Sequence, residues 1–172
     1  ALNAIVMMDD NGLISLWNPQ SEKIFGWSRE EVIGKKLSTI IIPERYRAQH
    51  DEGMEIYLKS GENKVLQRLL QLSAIHKKGH EFPIEISISP IRIADKIVFC
   101  SFIMDITERK KSEKMLAMRE EKYRSIIANM HLGLLEVDTA DVIQFANNSF
   151  CEMCGYDLDD LIDRKAAALF AK

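Results

Sequence analysis

The chain has 172 residues, 47% of them hydrophobic and 28% charged, and a formal net charge of −3. That is enough apolar material for one good core, or one and a half. Acidic and basic residues are interspersed, which argues against a nucleic-acid footprint, and no apolar run reaches membrane-spanning length.

Ile5 to Met8 and Leu13 to Trp17 are apolar runs separated by Asp9-Asp10-Asn11-Gly12, a pattern that predicts a β-hairpin. Asn18 then supplies an N-cap and Pro19 a first-turn residue for a short helix, which Gly26 ends. Ser28-Arg29-Glu30-Glu31 has capping-box spacing and opens a second short helix that runs to Gly34. Leu37 to Ile42 is apolar and stops at Pro43. Arg45 to Ser60 predicts a longer amphipathic helix closed by Gly61.

From Val65 the pattern is extended, broken by a turn at Lys77-Lys78-Gly79-His80. Phe82, Ile84, Ile86 and Ile88 then alternate with Pro83, Glu85, Ser87 and Ser89, the period of a strand with one buried face. Ala94-Asp95 predicts another turn and Ile97 to Met104 a last strand. The order predicts an α+β domain, with helices packed on one face of a five-stranded antiparallel sheet.

Glu108 to Met130 contains no Gly or Pro and predicts a linker helix. Leu116, Tyr123 and Met130 recur every seven residues with Ile126 and Ile127 between them, and Glu120 interrupts the seam. About two heptads carry the pattern, which points to a homodimer through this helix, parallel or antiparallel.

The chain also begins the same pattern twice. At an offset of 129, Ile14-Ser15-Leu16-Trp17-Asn18 aligns without a gap to Ile143-Gln144-Phe145-Ala146-Asn147, and Asp9 falls on Asp138. Phe25-Gly26-Trp27 falls on Cys154-Gly155-Tyr156, and Glu30-Glu31-Val32-Ile33 on Asp159-Asp160-Leu161-Ile162. The second copy stops at Lys172, before any counterpart of the three later strands, so its sheet edge and core are expected to be uncovered and its order partial. We divide the chain into a complete domain at 1–107, a linker helix at 108–129 and the incomplete repeat at 130–172. The start at Ala1, without Met, suggests a piece of something longer.

Cys100, Cys151 and Cys154 read as free thiols in a reducing, cytoplasmic setting. Cys151 and Cys154 have CxxC spacing, but no second pair or neighbouring histidines complete a zinc set. Helical periodicity makes them small buried hydrophobes instead.

Asn18, the run Phe25 to Gly34, Lys78-Gly79-His80-Glu81-Phe82-Pro83-Ile84-Glu85 and Asp105-Ile106-Thr107-Glu108-Arg109-Lys110 together resemble the PAS family of sensory domains. The resemblance covers nearly the whole chain. It implies a sensor module that holds a small-molecule ligand or cofactor between sheet and helices. It also implies that Asp105, Ile106 and Thr107 relay the change into the exit helix and on to a covalently linked output domain. That output is commonly a histidine kinase of a two-component system or a cyclic-di-nucleotide enzyme; no phosphate loop, nucleophile elbow or metal cluster marks this chain itself as an enzyme.

The run Pro43 to Asp51 further resembles the oxygen-sensing haem members of that family, which implies His50 as the proximal iron ligand, the one metal ligand in view. Arg68 or Leu70 would then stand on the distal side, with an Arg there able to hydrogen-bond a bound diatomic. A surface His50 bonded to Asp51 is the competing reading, and a ligand-free dimerisation scaffold the competing function. The remaining candidates for the cavity wall are Ile86, Met54 and Met104, although methionines, Met7 and Met8 among them, serve as adaptable core filling too. The cysteine motif of flavin photoreceptors is lacking, and His76, His80 and His131 read as solvent-exposed.

Overall fold

The computed structural model describes residues 3–61, 68–93 and 96–170, in two compact units, Ala1–Lys110 and Lys111–Lys172. The expected strand start at Val65 and the turn at Ala94-Asp95 fall outside those residues.

The first unit opens with the hairpin β1 (Ala4–Met8) and β2 (Ile14–Trp17). Asp9 makes the turn: its Oδ1 accepts from the backbone N–H of Asn11 at 3.0 Å and of Leu13 at 2.8 Å. Three short helices follow, α1 (Pro19–Phe25), α2 (Arg29–Val32) and α3 (Leu37–Ile40). Asn18 caps α1, and the capping box of Ser28 and Glu31 opens α2. The long helix α4 (Glu44–Ser60) ends at Gly61, which takes the left-handed conformation with φ 72°.

Strands β3 (Leu69–Ile75), β4 (Glu81–Ile93) and β5 (Lys96–Asp105) complete one antiparallel sheet of order β2-β1-β5-β4-β3. β5 therefore sits at the centre, paired with β1 on one side and β4 on the other. Period-two alternation holds: Val6, Phe82, Ile84, Ile86, Phe99 and Ile103 face the core with Phe25, Val32 and Ile40 of the helices. The expected α+β architecture is the observed one.

Helix α5 (Thr107–Asn129) leaves the sheet directly from β5. In the second unit, β6 (Leu135–Val137) and β7 (Ile143–Ala146) form a two-stranded sheet, followed by α6 (Asn148–Cys154), α7 (Leu158–Leu161) and α8 (Ala167–Phe170).

The internal repeat is atomic. Asn18 Oδ1 accepts from the N–H of Ile5 and of Ser21; Asn147 Oδ1 accepts from that of Leu134 and of Phe150, the same positions 129 residues on. Asp138 Oδ1 binds the N–H of Ala140 and Val142 as Asp9 binds Asn11 and Leu13. What differs is cover. Met8 is 6% exposed under the full sheet, whereas its counterpart Val137 is 43% exposed. The second copy still closes a small core of Ile143, Ala146, Leu161 and Ala166.

Candidate functional site

The candidate site is a half-open cavity of about 810 Å³ in the first unit, bounded by α3, α4 and residues of β3, β4 and β5. Its walls are aliphatic on both sides: Leu37, Ile41 and Met54 from the helical side, Leu70, Ile84, Ile86 and Ile88 from the sheet. One face of α4 supplies Tyr46, Gln49, His50, Gly53 and Met54, at the i, i+3, i+4, i+7, i+8 spacing of a helical stripe. No residue of this helix is buried. Met54, Tyr57 and Leu58 are partly buried and pack against the core, with the Tyr57 ring 5.5 Å from that of Phe99.

Of the residues expected at a ligand, His50, Met54, Leu70 and Ile86 line this cavity. Two do not. Arg68 is exposed just before β3 and is outside the wall. Met104 is 40% exposed, because strand parity turns it away: Ile103 pairs with Ile86 and is fully buried, so Met104, paired with Glu85, stands on the opposite face. Alternation counted from Ile86 would have signalled this.

His50 is held by its neighbour. Its Nδ1 lies 3.0 Å from Asp51 Oδ1, with the imidazole side chain 23% exposed. Burial pulls the Asp51 carboxyl upward, but hydrogen bonds from His50 and Ser38 outweigh it and hold the group below its ordinary value. The ionised carboxylate only accepts, so Nδ1–H donates to it. A carboxylate on the far nitrogen is the usual support of a metal-ligating histidine. His50 is thus a residue that could hold a haem iron, while the sheet side of the cavity offers Leu70, Ile84 and Ile86 and no Arg or Lys among the described residues.

At the rim, Arg45 makes a two-point pair with Glu81, at 2.5 and 2.6 Å, and Ser73 Oγ donates to the same carboxylate at 2.8 Å. The hydrogen bonds from Arg45, then Ser73, pull Glu81 down to about 2. This clasp ties the first turn of α4 to the β3–β4 hairpin. Thirty-six residues separate its two ends, and no sequence motif announced it.

The same hairpin docks on the end of α1. Lys77 donates its backbone N–H to Phe25 O at 2.9 Å, and its Nζ reaches Glu31 Oε1 at 2.5 Å. His76, expected at the surface, is half-buried here. It packs on Gly26, where a Cβ would meet the imidazole at 2.5 Å, so this glycine is needed for close approach as well as for its φ of 77°. His80 and His131 are exposed, as expected.

The exit lies at the cavity's base. Ile106 is 2% exposed, lines the cavity and donates its N–H to Pro83 O at 3.1 Å. Asp105 Oδ1 accepts from Thr107 N–H at 2.8 Å and so starts α5. Lys110, one turn into that helix, also borders the cavity. Sequence reading placed Asp105, Ile106 and Thr107 at the junction but did not single out Lys110 or Gly53.

All three thiols are free. Burial pushes Cys100 up, and burial together with Cys154 raises Cys151, so neither has the lowered value of a reactive thiol. Among the described residues, no three His, Cys, Asp or Glu side chains gather as a metal set, and no helix is long and apolar enough to cross a membrane.

Comparison with known proteins agrees with this geometry. A PAS domain family matches residues 2–108, and a second PAS domain family matches residues 121–171. An uncharacterised protein of Azorhizobium caulinodans is 33% identical over 78% of this chain and 17% of its own length. Sensor protein FixL of Bradyrhizobium diazoefficiens is 27% identical over 66% of the chain and 22% of its length. Oxygen sensor protein DosP of Escherichia coli is 26% identical over 90% and 19%. The chain thus spans about a fifth of the length of these curated relatives. Among solved structures, the PAS domain of a Colwellia psychrerythraea protein superposes with a TM-score of 0.52 at 26% identity, covering 63% of this chain and 89% of that one. The PAS domain of the Cronobacter turicensis RpfR quorum-sensing receptor shares the fold at a TM-score of 0.50 and 20% identity, covering 62% and 96%. Sheet order, cavity and family matches converge: the chain belongs to the PAS domain family.

Proposed function

We propose that this chain is a ligand-responsive sensory module. A small molecule in the cavity alters how β4 and β5 hold the first turn of α5, and α5 carries that change to an output domain, a histidine kinase in the first instance. The module works by binding and relay, not by chemistry of its own. One observation carries the reading: Ile106 is both cavity wall and the last residue before the exit helix. A ligand that shifts the wall therefore acts on α5 without an intermediary, which gives the two-state coupling that allostery requires. The cavity's volume supports this over a ligand-free scaffold with a filled core.

Hydrogen–deuterium exchange with the apolar dye Nile red tests it. Saturating dye should change protection across residues 103–112. Dye bound in the cavity with unchanged exchange throughout that segment would sink the relay.

A second reading has its own observation. The Nδ1 of His50 is engaged by Asp51, as the support of a metal-ligating histidine would be, and one relative is named an oxygen sensor. Haem, when bound, would supply an iron that takes up a diatomic gas; His50 would hold it, and Leu70 and Ile86 would give the group an apolar wall. Protein produced with ample haem should show a Soret band that His50→Ala loses. A featureless spectrum under those conditions ends this reading.

A further inference from the structure

We infer that the cavity takes a neutral ligand, an apolar body with one hydroxyl or carbonyl oxygen, and that Ser101 is the group that binds this oxygen. This deepens the sensory reading and rests on it. The observation that carries it is a buried hydroxyl without a partner.

Four polar residues are buried among the described residues: Ser21, Ser38, Ser101 and Asn147. Three of them bond within the protein. Ser21 Oγ donates to Asn18 Oδ1 at 2.7 Å, Ser38 Oγ to Asp51 Oδ2 at 3.5 Å, and Asn147 Nδ2 to Leu132 O at 2.8 Å. Ser101 is 6% exposed, and no hydrogen bond reaches its Oγ among the described residues. Nor is that atom sealed in. The unpartnered polar side-chain atoms cut off from any open space are Trp27 Nε1 and Thr107 Oγ1. Ser101 Oγ opens onto the cavity, whose wall it helps to form.

Its neighbours are apolar. Phe99 and Ile103 share its face of β5, and it pairs with Val6 of β1 and Ile88 of β4. By pattern the position suits an aliphatic side chain. A hydroxyl there is costly until something hydrogen-bonds it.

The same neighbours exclude charge. A carboxylate at Ser101 would exchange its water for one hydroxyl among aliphatic groups, which costs more than that bond returns. Lys110, which also lines the cavity, stands on α5, past the end of the strand that carries Ser101, and interacts with Glu85. A neutral oxygen is what this hydroxyl can satisfy, by donating to a carbonyl or by exchanging a bond with an alcohol. The bond would fall on β5, the central strand that runs into α5, so the ligand's polar end would act on the relay itself.

Displacement of Nile red from the chain of residues 1–172 by 2-naphthol, 2-methylnaphthalene and 2-naphthoate tests this at neutral pH. The three share one ring body and carry a hydroxyl, a methyl and a carboxylate. Both neutral compounds should displace the dye with saturation, and naphthoate about tenfold less well than naphthol or worse. Ser101→Ala should weaken naphthol about fivefold, the scale of one neutral hydrogen bond, and leave methylnaphthalene unchanged. Without ligand, the unfolding midpoint of Ser101→Ala should equal or exceed that of the parent, because an unpaired hydroxyl has been removed.

The failures separate. Naphthol that binds parent and Ser101→Ala alike overturns the serine contact, and a lowered midpoint in Ser101→Ala, which would give the hydroxyl a partner inside the protein, does the same. Naphthoate that competes as well as naphthol, or dye that resists both neutral compounds, overturns the ligand class. The sensor cavity stands in each of these cases. A parent that binds no Nile red removes the cavity as a binding site and with it both readings.

Discussion

Arg109 Nη2 donates to Glu85 Oε2 at 2.6 Å, so the first turn of the exit helix is fastened to β4, the strand that supplies Ile84 and Ile86 to the cavity. The strand's two faces divide the labour: even positions meet the ligand space, and Glu85 between them meets the helix. On the proposed relay, a displacement of β4 would be felt at α5 through a side chain on the opposite face.

Breaking that bond should uncouple cavity from helix. In Arg109→Ala, Nile red should bind as in the parent, but its effect on exchange at residues 103–112 should shrink. The hydrogen bond from Arg109 overcomes desolvation and holds Glu85 below its ordinary value. The pair is therefore complete at neutral pH and is lost only as the pH falls through that lowered value. Because the Arg109 end of the pair is exposed, its loss should alter coupling more than stability.

His76 predicts a pH dependence of the same sign, from an imidazole instead of a carboxylate. Burial, then the charges of His80 and Lys78, depress its protonation. Its Nδ1 accepts the N–H of Lys78 at 3.0 Å, its ring stacks on His80 at 4.6 Å, and Lys77 beside it is paired with Glu31. The first of these needs the neutral imidazole, because a protonated Nδ1 cannot accept. A histidine whose folded value lies below its unfolded one stabilises fully above the unfolded value, 6.5, and loses that contribution as the pH drops below it. Thermal unfolding followed from pH 8 to pH 5 should show a falling midpoint. His76→Asn keeps an acceptor without a titrating ring and should flatten part of that fall; an identical slope in the variant would exclude His76 as its source.

Much of this was legible because local chemistry decides it. Asn18 and Asp9 are read from sequence since a cap or a turn needs its residue within a few positions, and period two from Phe82 to Ile88 fixes which strand face is buried. The pairs that tie elements together were not legible. Arg45 finds Glu81, and Arg109 finds Glu85, only after the chain folds back, and any exposed arginine looks alike in a sequence. Gly53 escaped for a related reason: a glycine inside a helical pattern reads as a tolerated defect until the empty space beside it is known. Met104 was misplaced by grouping methionines by type instead of following strand parity from Ile103.

The polar hub at Asn18 should be expensive to remove. Its Oδ1 accepts from Ile5 N, Ser21 N and Ser21 Oγ, and its Nδ2 donates to Asn3 O. Asn18→Ala leaves half-buried donors without acceptors at both the hairpin and the helix start, which costs about 2 kcal/mol or more. Asn18→Asp keeps the acceptor and loses only the donation, so it should cost less. Urea unfolding of both variants measures the order; Asn18→Asp as damaging as Asn18→Ala would show that the Nδ2 bond, not the cap, dominates.

Self-association is the last expectation, and it follows from what α5 leaves uncovered. Leu116 and Tyr123 are 59% and 58% exposed in the single chain, seven residues apart and so on one side of the helix. Ile126 joins the same stripe one turn on, also exposed. A stripe of that kind is stabilised by pairing with its copy, and a charge placed in it must be desolvated when the helices meet. Leu116→Glu and Tyr123→Glu should each shift the chain toward monomer in light scattering across a concentration series. Met118, equally exposed but two residues round the helix from Leu116, provides the control: Met118→Glu should leave the mass unchanged. A dimeric parent whose mass is indifferent to both seam variants would place the contact on another surface, and a monomeric parent at every concentration would remove the seam altogether.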